Sequence, residues 1–257
     1  MFPTVLPELA VVRTDDGSNT LLDTKTGDTF HSLAGAFTET RHTYLKNSDL
    51  FDRLALGLDT WLLEMGLGSG LALLLSVDLA IHYSTPLHYV ALESNWLPAD
   101  VIDLLEYDNF LENKSLLNDF LDFRNRCDIH TDAADQRFTW QPAPTISVEV
   151  HITDARNAFD RLRANADRQF EVIFYDPFSK ESNPKLWSSE VFRKIVPLLA
   201  PTGRLVTYSC ARAVREAIAD AGLAPERVPG PPKGKRQSLI VTHPQNPLCR
   251  DTSDHSQ

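Results

Sequence analysis

The chain has 257 residues, 42% hydrophobic and 23% charged, with a formal net charge of −10. Such a length buries the core of one α/β domain with embellishments, and the acidic balance excludes broad non-specific affinity for nucleic acid while leaving room for a local basic face. No apolar run approaches a membrane span, no basic-then-apolar leader opens the chain, and Cys127, Cys210 and Cys249 are too scattered for a metal site or disulfide framework, so a reducing cytoplasm with no membrane contact and no metal is expected.

Turn signals at Asp16-Gly17 and Thr26-Gly27-Asp28, between short β-branched runs, predict a small N-terminal β-hairpin over 11–31. A helical stretch over 39–58 completes an extension at 1–58, ahead of a main domain at 59–243. There an alternation begins with strand Thr60–Met65, helix Leu71–Tyr83, strand 87–92 and helix 98–109. It continues with strand Ile146–Ile152, helix 156–164, strand Phe170–Tyr175, helix 189–199, strand 203–209 and helix 211–221. Two further strands follow over 223–228 and 238–242. This order predicts an α/β, Rossmann-like fold with a mostly parallel seven-stranded sheet and helices on both faces. Residues 110–145 interrupt the rhythm. Leu116, Leu117, Phe120, Leu121 and Phe123 suggest a helical insert, and Trp140, Pro142 and Pro144 a loop return. The tail at 244–257 is polar and is expected to be disordered.

The segment Glu64-Met65-Gly66-Leu67-Gly68-Ser69-Gly70-Leu71 carries the most information. It reads as a strand end, a glycine turn and a helix start. Gly66, Gly68 and Gly70 let the backbone turn sharply and approach a ligand, and the helix N-terminus points N–H groups at it. A dinucleotide site has a glycine at the sixth position of this motif, where Leu71 stands, and wants no acid beside its pyrophosphate. Glu64 suits an ammonium beside a carboxylate, the methionine end of S-adenosylmethionine. The expected fold is then that of a class I S-adenosylmethionine-dependent methyltransferase. Glu93, ending the second strand, is placed to accept both ribose hydroxyls. Asp154, ending the third, is placed to accept from the adenine amino group or to cap the next helix.

Phe170–Tyr175 opens into Asp176-Pro177-Phe178, followed by Lys180, Asn183-Pro184 and Trp187. An acid, a proline-fixed turn and an aromatic ring resemble the signature of methyltransferases that act on nitrogen. Methyl transfer is an in-line displacement, so the nitrogen must present a lone pair while acceptors such as Asp176 hold its N–H groups. Phe178 is placed to stack on a base. Asp176 and Phe178 are the expected catalytic pair, with Asp176 also close to the cofactor.

Further pieces extend the pattern: Phe30-His31-Ser32, Glu39-Thr40-Arg41-His42-Thr43-Tyr44-Leu45, Pro201-Thr202-Gly203-Arg204 and Gly234-Lys235-Arg236. With the two motifs above they resemble the methyltransferase domain of MnmC, the bifunctional enzyme of 5-methylaminomethyl-2-thiouridine synthesis in tRNA, in that family's order over about 30–240. Pro177, Ser179, Leu67 and Gln237 depart from the family pattern. The resemblance implies methylation of a 5-aminomethyl group on a wobble uridine, with tRNA as partner. The family's flavin-dependent oxidase would need a second glycine-rich turn, which is not found, so a stand-alone form served by separate upstream oxidase or modification enzymes is expected.

Two other functions compete: a methyltransferase or aminopropyltransferase on a small amine, and a non-catalytic nucleoside-binding module. The acidic net charge favours the small amine. The intact acids Glu64, Glu93, Asp154 and Asp176 argue against the inert module. Lys180, Lys185, Arg212, Arg215, Lys233, Lys235 and Arg236 favour tRNA where they share the ligand face. Lys180, Asn183, Trp187, Lys235 and Arg236 are the expected substrate contacts.

Overall fold

A computed structural model of the chain describes residues 1–130, 135–164, 169–178 and 183–243. The tail expected to be disordered, Cys249 and the substrate candidate Lys180 lie outside the described residues. Three antiparallel strands open the chain: β1 (Phe2–Pro3), β2 (Leu9–Arg13) and β3 (Asn19–Asp23). The predicted hairpin is thus β2–β3, with β1 added at its edge. Next come α1 (Ala36–Thr40), a π-helical turn at Arg41–Lys46 and α2 (Leu50–Ala55), where one helix over 39–58 is predicted. Asn47-Ser48-Asp49 explains the break. The Ser48 hydroxyl donates back to the Tyr44 carbonyl, and Asp49 takes a left-handed φ of 63°. Short polar side chains of this kind compete with helix hydrogen bonds.

The main sheet begins with β4 (Thr60–Met65), whose run of apolar residues is buried on both faces, as in central parallel strands. α3 (Leu71–Tyr83), β5 (Leu87–Glu93) and α4 (Ala99–Asp103) follow. The helix predicted over 98–109 stops early because Glu106 turns left-handed, leaving a 3₁₀ turn at Tyr107–Phe110. The insert forms α5 (Leu116–Arg126) and β6 (Gln136–Ala143). β6 lies antiparallel to β7 (Ile146–Ile152), so an edge strand stands where a loop return is predicted. Its Phe138 and Trp140 point to one face and close on α5 and Trp96. Then come α6 (Ala155–Ala164), β8 (Phe170–Tyr175), α7 (Ser189–Ile195), β9 (Leu199–Thr207), α8 (Arg212–Asp220), β10 (Ala224–Pro229) and β11 (Gln237–Thr242).

The sheet order is β10-β11-β9-β8-β4-β5-β7-β6. β9, β8, β4, β5 and β7 run parallel, and β11 and β6 are antiparallel to their neighbours. The seven predicted strands are present, and β6 makes an eighth. One core packs α3, α5 and the N-terminal helices on one face, and a second packs α6, α7 and α8 on the other. Strand order reverses between β4 and its neighbours β5 and β8, which opens a crevice at the carboxyl ends of these strands. Among the described residues no helix is long and apolar enough to cross a membrane.

Candidate active site

A cavity of about 820 Å³ fills that crevice. Its inner wall is the glycine turn. The Gly66 N–H donates to the Leu92 carbonyl at 3.0 Å, and the Asp176 N–H donates to the Met65 carbonyl at 2.9 Å, which pins three strand ends together. Gly66 has φ 89°, and a Cβ there would overlap the Asp176 carbonyl oxygen and lie 2.9 Å from its carbon. Glu93 stands opposite. Its carboxylate accepts the Gly68 N–H at 2.9 Å, the Ser94 N–H at 2.7 Å and the Asn95 N–H at 2.8 Å. Beyond Glu93, Trp96 lines the cavity, and its buried indole N–H has no hydrogen-bond partner. Leu92, Ile152 and Ala155 supply apolar wall. These features fit S-adenosylmethionine: a glycine wall without side chains, an anchored carboxylate able to accept more hydroxyls, an unpartnered donor and an apolar slot.

The other half of the cavity is built from distant segments. Phe30, His31, Ser32, Glu39 and Tyr44 come from the N-terminal extension, Asp176 to Phe178 from the end of β8, Tyr208 from the end of β9 and Lys235 from the loop before β11. Glu39 is 8% exposed and accepts the Ser32 N–H at 2.6 Å. Burial raises its carboxyl above the usual carboxylate range, opposed by that hydrogen bond and by Lys235. Asp176 faces the cavity, and removal from bulk water pushes its carboxyl up to about 8. The neighbouring Tyr44 hydroxyl opposes this rise without completing a well-formed hydrogen bond, Glu39 adds to it, and Lys235 lowers it. His31 is pushed down to about 4 by burial and stays neutral, with Nδ1 3.0 Å from the Thr20 hydroxyl.

Phe178 is 55% exposed and meets Phe30 edge-on at 5.2 Å. The backbone beneath it is tied down. The Trp187 indole N–H donates to the Phe178 carbonyl at 2.9 Å, and the Tyr208 hydroxyl to the Pro177 carbonyl at 3.2 Å. An aromatic ring on an anchored turn beside the half-buried Asp176 can present a planar base to the cavity.

Of the predicted site residues, Gly66, Gly68, Glu93, Asp154, Asp176, Phe178, Asn183 and Lys235 line this one cavity. Four others do not. Glu64 lies behind the wall, because strand alternation turns it with Leu62 toward the α3 face, where it accepts the Tyr89 hydroxyl at 2.8 Å. Burial raises its carboxyl well above the usual range. Glu64, expected at the methionine end of the cofactor, is a buried acid bonded to Tyr89 and does not itself line the cavity. Gly70, with φ 80°, starts α3, and its Cα packs against Phe120 so that a Cβ would sit 3.2 Å from the ring. Trp187 is 2% exposed and supports the turn from behind rather than facing substrate. Arg236 is exposed outside the cavity. Asp154 turns onto Arg156, accepting its backbone N–H at 3.0 Å and its Nε at 2.9 Å, which holds the carboxyl below its usual range. It therefore caps α6 at the cavity rim. Arg212 pairs with Glu216, and neither it nor Arg215 lines the cavity. Sequence reasoning assigns no role to Glu39, Tyr44, His31 or Tyr208. Their only signal is membership of the resembling pieces before the glycine turn and after Gly203.

Comparison with known proteins agrees with this geometry. A family of S-adenosyl-L-methionine-dependent methyltransferases matches residues 129–244. The tRNA 5-methylaminomethyl-2-thiouridine biosynthesis bifunctional protein MnmC of Azoarcus sp. (strain BH72) is 30% identical over 243 residues, covering 88% of this chain and 34% of that protein. Its counterpart from Burkholderia vietnamiensis is 26% identical over 232 residues, covering 84% and 32%. The chain thus spans about a third of the length of these relatives. Among solved structures, MNMC2 from Aquifex aeolicus superposes with a TM-score of 0.72 at 19% identity, covering 96% of this chain and 74% of that one. Spermidine synthase from Thermotoga maritima shares the fold at a TM-score of 0.53 and 15% identity, covering 91% and 68%.

Proposed function

We propose, starting from a chain that is an S-adenosylmethionine-dependent methyltransferase related to the methyltransferase part of MnmC, that it methylates the amine of a 5-aminomethyl-(2-thio)uridine at the wobble position of tRNA. The product is the 5-methylaminomethyl nucleoside. The observation that carries this reading is the meeting of two carboxyls raised above the usual carboxylate range, Glu39 and Asp176, in one cavity beneath the exposed ring of Phe178.

Gly66, Gly68, Glu93 and Trp96 would hold S-adenosylmethionine, which supplies an electrophilic methyl group when bound. The rest is work for this chain's side chains. An alkyl amine arrives as an ammonium, since such groups titrate near roughly 10. It must lose a proton before its lone pair can attack. An ordinary aspartate is about six pH units too weak to take that proton, whereas a carboxyl at about 8 narrows the gap to roughly two. Asp176 therefore attracts the ammonium as a carboxylate, accepts one proton and holds the remaining N–H groups toward the turn. Glu39 keeps a second acceptor close, which favours a cationic group over a neutral hydroxyl. Phe178 stacks the extruded pyrimidine, and Asn183 offers amide groups at the rim.

In this reading residues 1–58 build the acceptor side onto a methyltransferase domain at 59–243, with the insert at 110–145 walling the cofactor end. The reaction belongs in the cytoplasm with its tRNA, and an upstream modification step exposes the aminomethyl group. The test is methyl transfer from labelled S-adenosylmethionine to bulk tRNA lacking this methylation, set against putrescine and spermidine. Label should enter one modified uridine of tRNA. Ready methylation of the polyamine with none in tRNA would replace this reading with the small-amine one.

A further inference from the structure

Arg124 and Arg156 line the cofactor end of the cavity, and among the described residues Lys235 is the cation beside the acids of the acceptor end. Lys235 reaches in from the loop between β10 and β11, and its Nζ sits 4.0 Å from the centre of the Tyr208 ring. That ring is itself fixed to the catalytic turn. Its hydroxyl bonds the Pro177 carbonyl, one residue from Asp176, and Trp187 packs edge-on against it at 6.0 Å. The other groups around Asp176 are acidic or phenolic: Glu39 and Tyr44 face it from the N-terminal extension, and the Glu64–Tyr89 pair of β4 and β5, behind the glycine wall, feels its charge.

We propose that Lys235 is a positioning residue that acts through Asp176: seated on the Tyr208 ring, whose hydroxyl holds the Pro177 carbonyl, its ammonium keeps a positive charge beside the acid that receives the amine. The inference rests on the amine-methylating reading for its purpose, but the electrostatic coupling stands on the cavity itself. Lys235 is itself exposed at the cavity mouth, and the Tyr208 ring seats its ammonium beside the turn that carries Asp176. With Lys235 gone, Glu39 acts on Asp176 without an opposing cation, and the carboxyl stays protonated to higher pH.

The experiment follows the Asp176 carboxyl carbon by ¹³C NMR through a pH titration of the full chain without ligand, the resonance being identified by its loss in Asp176→Asn. The midpoint should lie near 8 in the unaltered protein. Lys235→Met should raise it by about 0.5–1 pH unit, and Lys235→Arg should restore it. The acid limb of the pH–rate profile for tRNA methylation should move by the same amount, a loss of about 3–10-fold at pH 7, with S-adenosylmethionine affinity unchanged. Tyr208→Leu, which removes the seat and keeps the charge, should reproduce part of the shift. An Asp176 midpoint that stays in place in Lys235→Met overturns the proposal. A midpoint that moves in a protein unable to methylate tRNA keeps the role of Lys235 and overturns the tRNA reading instead.

Discussion

The two halves of the cavity treat their carboxylates in opposite ways. Glu93, on the cofactor side, receives three backbone N–H groups within 2.9 Å, from Gly68 on the glycine turn and from Ser94 and Asn95 directly after the acid. Amide donors hold a carboxylate in place and leave lone pairs for further hydroxyls. On the acceptor side Glu39 receives the backbone N–H of Ser32, and Asp176 has the Tyr44 phenol without a finished bond. Donors there offset burial only in part, so both carboxyls rise. Labour is divided accordingly. A group that only binds is satisfied in advance, and a group that must move a proton is left short of partners until substrate supplies them.

Gly66 joins the two halves, so its replacement should do the most damage. Gly66→Ala puts a methyl into the Asp176 carbonyl at a φ of 89°. The expected cost is on the order of 3 kcal/mol, from backbone strain plus displacement of the β8 end. Thermal unfolding should show the loss, and calorimetry should find no S-adenosylmethionine binding. Gly68 offers the contrast, because a Cβ there meets only the Phe30 ring, at 3.7 Å. Gly68→Ala should cost only the strain of its φ of 53°, keep most of the fold and still lose the cofactor. Equal stability loss in both variants would erase the distinction between a joint and a ligand wall.

Asp176→Asn separates binding from turnover. It should lower kcat for tRNA methylation by about 10²–10⁴-fold while cofactor affinity stays within a few-fold. The same variant should be the more stable one at alkaline pH. The folded carboxyl titrates near 8 and the reference value is 3.8. Between those values the folded state holds the extra proton, so stability falls as pH rises through the window. Removing the acid removes that fall, and the melting temperature should gain roughly 2–4 °C per kcal/mol at pH 8.5 and almost nothing at pH 4. A gain over the unaltered protein no larger at pH 8.5 than at pH 4 would show that Asp176 is not held short of partners. Glu93→Ala is the mirror image. It should weaken S-adenosylmethionine binding by about 5–100-fold, from the loss of roughly 1–3 kcal/mol, and leave kcat at saturation nearly intact.

The same division explains how much is legible in the chain alone. The cofactor half is local: Gly66, Gly68 and Glu93 sit on consecutive strand ends, and their roles follow from strand–turn–helix order. Five main strands follow from continuous apolar runs. The acceptor half is assembled across the whole chain, from Glu39 to Lys235, and only tertiary packing brings Glu39 and Tyr44 beside Asp176. The place of Glu64 behind the wall is not legible because the motif names an acid but not the face it turns to, and β4 alternation decides that. Trp187 misleads because an aromatic in a polar loop reads as exposed, whereas its indole is used to hold the Phe178 carbonyl. The break at Ser48 and the β6 strand depend on side chains competing locally with a helix and on Trp140 meeting Phe123, neither of which periodicity registers.

A weaker effect is expected outside both halves. Arg236 is exposed on the loop that carries Lys235, and that loop is closed by the Gly230 N–H donating to the Arg236 carbonyl at 2.9 Å. His42 touches its start, with Nε2 2.9 Å from the Pro229 carbonyl. The loop is thus fixed at the cavity mouth, with Lys233 and Arg236 exposed on it. On a chain of net charge −10, such side chains are where RNA phosphate would find positive charge. Removing one phosphate-binding cation should flatten the log–log dependence of tRNA binding on salt by about 0.7–0.9, which is only a 2–4-fold change in affinity between roughly 50 and 200 mM salt. Lys233→Glu with Arg236→Glu, which removes two, should show about twice that flattening in a filter-binding titration. Cofactor affinity and the pH midpoint of Asp176 should stay fixed, because neither side chain lines the cavity. A salt slope that stays unchanged would place the RNA path elsewhere on the surface, and a shifted Asp176 midpoint would mean that the loop acts on the reaction as a unit rather than through Lys235 alone.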